Sequence, residues 1–187
     1  MKKPIEKIPD NIENFLNHEW IKSGINILHE QGFRAISKAS ICQEIKKTEQ
    51  DFDVIFNGLD SYLFSVLDYW YEKETLAYID IMDDVAGNAE QAILTLVEVL
   101  HNADKRDELA IRSWALKYPD ARKALDKVDR TRMDVGIGLF REMGFSEQES
   151  VMRSKILYTS TIGTEYTSVS SSLDQKIAMC KLLMEQN

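Results

Sequence analysis

Apolar residues recur at intervals of three and four positions along most of the chain, which is the spacing of one face of an α-helix. The first such stretch runs from about residue 10 to 31 and carries Trp20, Ile27 and Leu28. Further stripes run over about 59–84, 88–101, 108–116, 119–143 and 146–162, and a last one begins near residue 173. Three prolines and eight glycines are too few turn residues for a β-sandwich or barrel. The pattern predicts an all-α fold of about nine helices.

Two short helices are predicted between the first two long ones. Gly32 stands where a C′ glycine would end the first helix. Ser37 can cap a short helix that reaches about residue 45, and Thr48 can cap another that reaches about residue 54. The residues of these helices expected to face inward are Ile41, Cys42, Phe52 and Ile55. On the long helix that follows, the expected buried stripe is Leu63, Leu67, Trp70 and Tyr71.

A wider sequence pattern surrounds these short helices and continues toward the C-terminus. In chain order, its first part is carried by Ile27 to Phe33, Ala35 to Ser37, Ile41, Cys42, Phe52, Phe56, Asn57, Gly58 and Asp60. Its second part is carried by Trp114 to Asp120 and Phe140 to Ser146, continuing to Arg153 and Tyr158. The first part resembles, without a gap, the DNA-binding domain of TetR-family transcriptional regulators, and the second resembles their effector domains.

The resemblance implies two domains, a three-helix helix-turn-helix domain over residues 1–58 and a larger helical domain for effector binding and dimerisation over 59–187. It implies a ligand-responsive regulator that binds operator DNA as a homodimer through its last two helices. The apolar stripes there are Leu173, Ile177, Cys180 and Met184, and Ile156, Thr159 and Gly163. Two such helices from each subunit can close a four-helix interface. The alternative is that both stripes face the core of the monomer.

The second short helix is the one that would enter the major groove, since the N-terminal residues of that helix reach base edges in a helix-turn-helix. The predicted DNA contacts are Ser37, Lys38, Lys46, Lys47, Thr48, Glu49, Gln50 and Asp53. Several of them depart from the family pattern. Lys46 stands at the turn in place of Gly and Lys47 in place of an apolar residue. Asp53 stands in place of Tyr, and Leu59 in place of a Lys that would contact phosphate.

Charge bears directly on this interface, because phosphate contact requires local Lys and Arg. The whole chain carries a formal net charge of −8. Residues 1–60 contain about eight basic and ten acidic side chains. Glu49, Asp51 and Asp53 would oppose a phosphate-lined groove, although carboxylates can accept a hydrogen bond from cytosine. Two interpretations stay open: a DNA reader with an unusual helix, or a module of the same fold that binds a ligand or protein without DNA.

The effector domain should hold a pocket for an unidentified small molecule. The candidate lining residues are Trp70, Tyr78, Met82, Trp114, Met133 and Tyr158. No Cys/His metal-ligand spacing, P-loop or nucleophile elbow is found. Asp80, Asp83 and Asp84 have a spacing that could hold Mg²⁺, but a solvated helix end is the favoured interpretation, so no metal, no cofactor and no enzymatic activity are expected. Cys42 and Cys180 are expected to be reduced core thiols. With no secretory signal and no apolar stretch of membrane-spanning length, a cytoplasmic protein is expected.

Overall fold

The computed structural model describes residues 10–83 and 87–186, and every regular element in that part of the chain is a helix. The helices are α1 (Asp10–Gln31), α2 (Lys38–Glu44), α3 (Glu49–Ile55), α4 (Gly58–Tyr71), α5 (Ala77–Asp83), α6 (Ala89–Asn102), α7 (Arg106–Ala115), α8 (Pro119–Glu142), α9 (Glu147–Gly163) and α10 (Leu173–Met184). A π-helical turn, Glu72–Leu76, joins α4 to α5. Because this turn makes α4 and α5 one continuous helix, the described part of the chain forms nine helices, which confirms the predicted all-α fold. No helix within these ranges is long and apolar enough to cross a bilayer.

Two compact units divide the chain, Met1–Tyr69 and Trp70–Asn187. The division falls within α4, whereas the domain boundary expected from the sequence, at residue 58, falls where α4 begins. That boundary stays a prediction. The first unit contains the helix-turn-helix and the second contains the helices from the π turn onward.

An aromatic cluster forms the core of the first unit. Phe52 packs within 5.7 Å of Trp20, 5.1 Å of Phe56 and 5.4 Å of Tyr62, measured between ring centroids. All four rings are buried. The prediction that Ile55 faces inward is wrong, because 38% of its surface is exposed. Helix α3 ends at Ile55, and the extended backbone of Phe56 turns that ring into the cluster instead.

The long helix buries a slightly different stripe from the one predicted. Leu67 and Trp70 are buried as expected, whereas Leu63 and Tyr71 are only half-buried. The fully buried positions Tyr62 and Val66 lie four residues apart. The buried face is thus centred about one residue earlier in the sequence, because Tyr62 joins the aromatic cluster.

The second unit has its core between α6, α8 and α10. Its buried residues are Ile93, Val97, Phe140, Phe145 and Cys180, and Leu173, Ile177 and Met184 pack against them. The stripe on α10 that was expected to face a second subunit therefore faces the core of its own monomer. The periodicity identified an apolar face correctly but not its partner. Both cysteines are buried and unbridged.

Candidate functional site

Each helix of the helix-turn-helix begins with a capping box. The Ser37 hydroxyl accepts from the Ser40 backbone N–H at 3.1 Å, and the Ser40 hydroxyl accepts from the Ser37 N–H at 2.9 Å. Thr48 and Asp51 make the same reciprocal pair at the start of α3, at 3.2 and 2.9 Å. Hydrogen bonds from the Thr48 hydroxyl and backbone lower the pKa of Asp51. Asp51 thus serves to start the helix, where a negative charge is favoured.

The turn between α2 and α3 keeps the geometry that usually requires glycine. Lys46 has φ +56°, in the left-handed region. The Lys47 N–H donates to the Cys42 carbonyl at 2.9 Å, and the Lys46 N–H donates to the Gln43 carbonyl at 3.3 Å. These two hydrogen bonds form a Schellman motif with Lys46 at C′. Lys46 thus occupies the left-handed position that glycine usually takes in this motif.

An ion pair ties the start of α2 to the middle of α3. The Lys38 ammonium lies 2.7 and 2.8 Å from the two carboxylate oxygens of Asp53 and 3.9 Å from Glu49. It also lies 5.7 Å from the centroid of the Phe52 ring. The hydrogen bond from Lys38 to Asp53 raises the pKa of Lys38. Lys38, a predicted phosphate contact, is therefore already paired with the carboxylate of Asp53.

The predicted DNA contacts lie together on the segment from Ser37 to Asp53. On α3 the exposed side chains include Glu49, Gln50 and Asp53, with Lys46 and Lys47 exposed at the turn. The sequence prediction missed Val54, which is 86% exposed. Its position four residues after Gln50 was the available signal, because residues four apart share a helix face. An exposed apolar side chain on this helix is suited to contact with a thymine methyl group.

The second unit encloses a cavity in which centres of water-sized molecules can occupy about 110 Å³. A single water needs roughly 10–15 Å³ by the same measure, so the cavity has room for a larger molecule. Its apolar wall is formed by Ile79, Met82, Ile93, Leu96, Leu100, Val135, Leu139, Leu157 and Ile162. Its polar groups are Glu74, Thr75, Tyr78, Lys105, Glu108, Arg132, Ser154, Tyr158 and Thr161. An apolar cavity with a few polar groups is typical of a small-molecule site.

The cavity brings together three of the six predicted ligand-binding residues. Tyr78, Met82 and Tyr158 line it. Trp70, Trp114 and Met133 do not, since both tryptophans are buried in the core and Met133 is half-buried elsewhere on α8. Ligand binding by any of them stays a prediction. No group of His, Cys, Asp or Glu side chains within the described ranges could hold a metal.

Sequence reasoning missed the charged residues of the cavity, and Glu108 is central among them. This carboxylate, 4% exposed, accepts from Arg112 at 2.6 Å and from Arg132 at 3.1 and 3.0 Å. Arg132 also donates to the Thr75 hydroxyl at 3.2 Å and to the Glu74 carbonyl at 2.9 Å. The available signal was the i, i+4 pair of Glu108 and Arg112 among apolar residues on α7.

Arg112 continues this network to Tyr158. Its guanidinium lies 2.7 Å from an Asp129 carboxylate oxygen and 2.7 Å from the Tyr158 hydroxyl, which itself donates to Asp129 at 2.6 Å. Burial raises the pKa of Tyr158 to about 12. The phenol is therefore neutral at physiological pH and is held as a hydrogen-bonding group at the cavity wall.

Comparisons with known proteins give structural neighbours only: no family model and no curated protein matches the chain. A proposed transcriptional regulator from Pseudomonas aeruginosa PAO1 is similar, with TM-score 0.74 and 15% identity over 91% of this chain and 88% of that one. A TetR/AcrR-family regulator from Thermobifida fusca YX-ER1 gives TM-score 0.66 and 17% identity over 91% and 97%. A further proposed TetR/AcrR-family regulator gives 0.73 and 11% over 92% and 100%. As the sequence resemblance predicted, the chain has the all-α fold of TetR/AcrR transcriptional regulators.

Proposed function

We propose that the protein is a ligand-responsive transcriptional regulator that binds operator DNA as a homodimer in the cytoplasm. The observation that carries this proposal is the intact helix-turn-helix. Capping boxes begin both helices, a Schellman turn joins them, and α3 is exposed along the side that would meet a groove. Lys46 and Lys47 are exposed at the turn, so both ammonium groups are accessible to phosphate.

A second candidate function is a module of the same fold that binds a ligand or protein without DNA. The ion pair between Lys38 and Asp53 favours it, because a lysine held by a carboxylate releases fewer counterions on meeting DNA. Glu49 and Asp53 also present negative charge on the exposed side of α3. The two candidates differ in one measurable quantity, the affinity for duplex DNA and its dependence on salt.

The DNA-binding proposal is tested by fluorescence anisotropy with a random-sequence duplex pool at low and moderate salt, followed by selection of bound sequences. We expect binding with a negative salt slope and enrichment of a palindrome. Asp53→Asn frees the Lys38 ammonium, so we expect tighter binding and a salt slope steeper by about one. Asp68→Asn makes the same charge change at an exposed position of α4 outside the helix-turn-helix and is the control. Absence of binding at low salt by the folded wild type and by Asp53→Asn would favour the second candidate.

Dimerisation is proposed through the exposed faces of α9 and α10. On α9, Met152 and Ile156 are 52% and 54% exposed and lie four residues apart. On α10, Met179 and Leu182 are 43% and 66% exposed, and Leu182 lies opposite the face that packs on the core. Two apolar faces on consecutive helices suit a symmetric four-helix interface, because a second copy covers both at once.

Light scattering coupled to size exclusion tests the dimer. Ile156→Glu places a charge in the centre of the proposed α9 contact, and we expect it to yield a monomer. Leu116→Glu makes the same kind of change at a side chain that is 77% exposed after α7, and it should leave the dimer intact. A wild-type monomer at tens of micromolar would contradict the proposal.

A further inference from the structure

Of the two acidic side chains that line the cavity, Glu74 and Glu108, Glu74 has the weaker hydrogen bonds. Its side chain is 5% exposed and lies in the π turn between α4 and α5. Its carboxylate oxygens have two contacts, both at 3.4 Å, with the Lys73 ammonium and with the Tyr78 hydroxyl. A carboxylate has about four acceptor sites, and ion-paired hydrogen bonds are usually shorter than 3.0 Å. The Glu74 carboxyl group is thus buried and only weakly hydrogen-bonded.

The other charged groups of the network are bound more tightly. Glu108 receives three hydrogen bonds from two arginines, and Arg132 divides its donors among Glu108, Thr75 and the Glu74 carbonyl. Lys73 prefers Asp107, whose carboxylate lies 2.9 Å from its ammonium. Among these groups, the Glu74 carboxylate is therefore the one with hydrogen-bond acceptor sites left for a ligand.

We propose that the cavity binds an organic cation, a protonated or quaternary amine on an apolar body, with its positive charge against Glu74. The proposal rests on the effector role proposed above and names the chemical class of the effector. The apolar body would lie along the wall formed by α5, α6, α8 and α9, where Ile79, Leu96 and Leu139 are found.

The π turn explains how this carboxylate comes to line the cavity. A π turn inserts one extra residue into a helix and changes which side chains face inward. Here Glu74 and Thr75 are both buried. Arg132 donates hydrogen bonds to the Glu74 backbone carbonyl and to the Thr75 hydroxyl. A buried charge without strong partners costs free energy, so a ligand cation that completes its hydrogen bonds gains affinity.

Lys105 is the group that could favour an anionic ligand instead. It lines the cavity, and its ammonium lies 5.9 Å from the centroid of the Tyr78 ring. It also lines a smaller adjoining cavity beside Lys176, Met179 and Cys180. Lys105 is partly exposed whereas the Glu74 side chain is 5% exposed, so solvent screens the lysine more and the carboxylate governs the choice of ligand charge.

Isothermal titration calorimetry with three probes of equal chain length tests the proposal: n-octylammonium, n-octanol and n-octanoate. We expect wild type to bind n-octylammonium at least about tenfold more tightly than n-octanoate, with n-octanol between them. Glu74→Gln keeps the shape and removes the charge, so it should weaken n-octylammonium by about tenfold and leave n-octanol unchanged. Glu98→Gln makes the same change at an exposed position of α6 outside the cavity and should bind like wild type.

The comparison of the three probes in wild type keeps the test decisive if Glu74→Gln fails to fold. Equal or tighter binding of n-octanoate, or an unchanged preference in a folded Glu74→Gln variant, would overturn the cation proposal while n-octanol binding still supports an effector cavity. Failure of all three probes would overturn both the cation proposal and the effector role of this cavity. Because no DNA is present, the result is independent of whether α3 binds an operator.

Discussion

The lysine at the turn of the helix-turn-helix allows a sharp test of the backbone geometry. Lys46 has φ +56°, whereas Lys47 has no positive φ, and both side chains are exposed. A left-handed conformation costs a non-glycine residue about 1–2 kcal/mol. Glycine avoids that cost, but it lowers the free energy of unfolding by about 0.4–1 kcal/mol because it gives the unfolded chain more conformational freedom. Lys46→Gly should therefore raise the free energy of unfolding by about 0.5–1 kcal/mol.

Lys47→Gly is the matched control, because it removes the same charge at the neighbouring position without relieving any strain. It should lower the free energy of unfolding by about 0.4–1 kcal/mol. For a chain of this size, 1 kcal/mol corresponds to about 2–4 °C in Tm, so the two variants should move Tm in opposite directions. Urea unfolding followed by circular dichroism, at one fixed protein concentration, measures both. If Lys46→Gly is destabilised as much as Lys47→Gly, the assignment of strain to Lys46 is wrong.

Three further predictions concern a close contact, the thiols and pH. Gly24→Ala should lower the free energy of unfolding by about 1–3 kcal/mol. The new alanine Cβ would lie 2.2 Å from the Tyr62 hydroxyl, and it would disturb the hydrogen bond that this hydroxyl donates to a backbone carbonyl at 2.7 Å. Adding Tyr62→Phe to that variant should recover part of the loss in urea unfolding. Cys42 and Cys180 should react with a disulfide reagent only after denaturation, since burial raises the pKa of both thiols, to about 11 for Cys180; rapid labelling of the native protein would contradict this. Hydrogen bonds from a serine cap lower the pKa of Glu149 below its ordinary 4.5. The ionised carboxylate therefore stabilises the folded protein above pH 4.5, and this contribution is lost as the pH falls further. The difference in Tm between wild type and Glu149→Gln should accordingly shrink in acid.

Local signals in the sequence predicted the helix-turn-helix well. Ser37 and Thr48 were expected to cap α2 and α3, and both do so through reciprocal boxes. Such signals work because a cap involves only residues three positions apart. Ile55 was misplaced because α3 ends there, and a helical period carries no information beyond the end of its helix.

Two other features depended on contacts distant in sequence and could not be predicted from periodicity. The apolar stripe of α10 is real, but whether Ile177 meets its own core or a second subunit depends on where α6 and α8 lie. The cavity carboxylate Glu74 was missed because the pattern marks only apolar side chains, although Glu74 lies four residues after the buried Trp70 and four before Tyr78. Arg132 lies 58 positions away along the chain, and nothing local marks it as the partner of the π turn.

The same type of charged group has different consequences at the two proposed sites because its surroundings differ. Asp53 is half-exposed and bound to Lys38, and exposed ion pairs contribute little free energy, so its removal should tune DNA affinity and salt dependence without disturbing the fold. Glu74 is buried and its contacts are long. In a low-dielectric cavity, an unsatisfied carboxylate should strongly affect the binding free energy of a ligand. Under the two proposals, an exposed charge on α3 would modulate binding to DNA, whereas the charge in the cavity would select between classes of ligand.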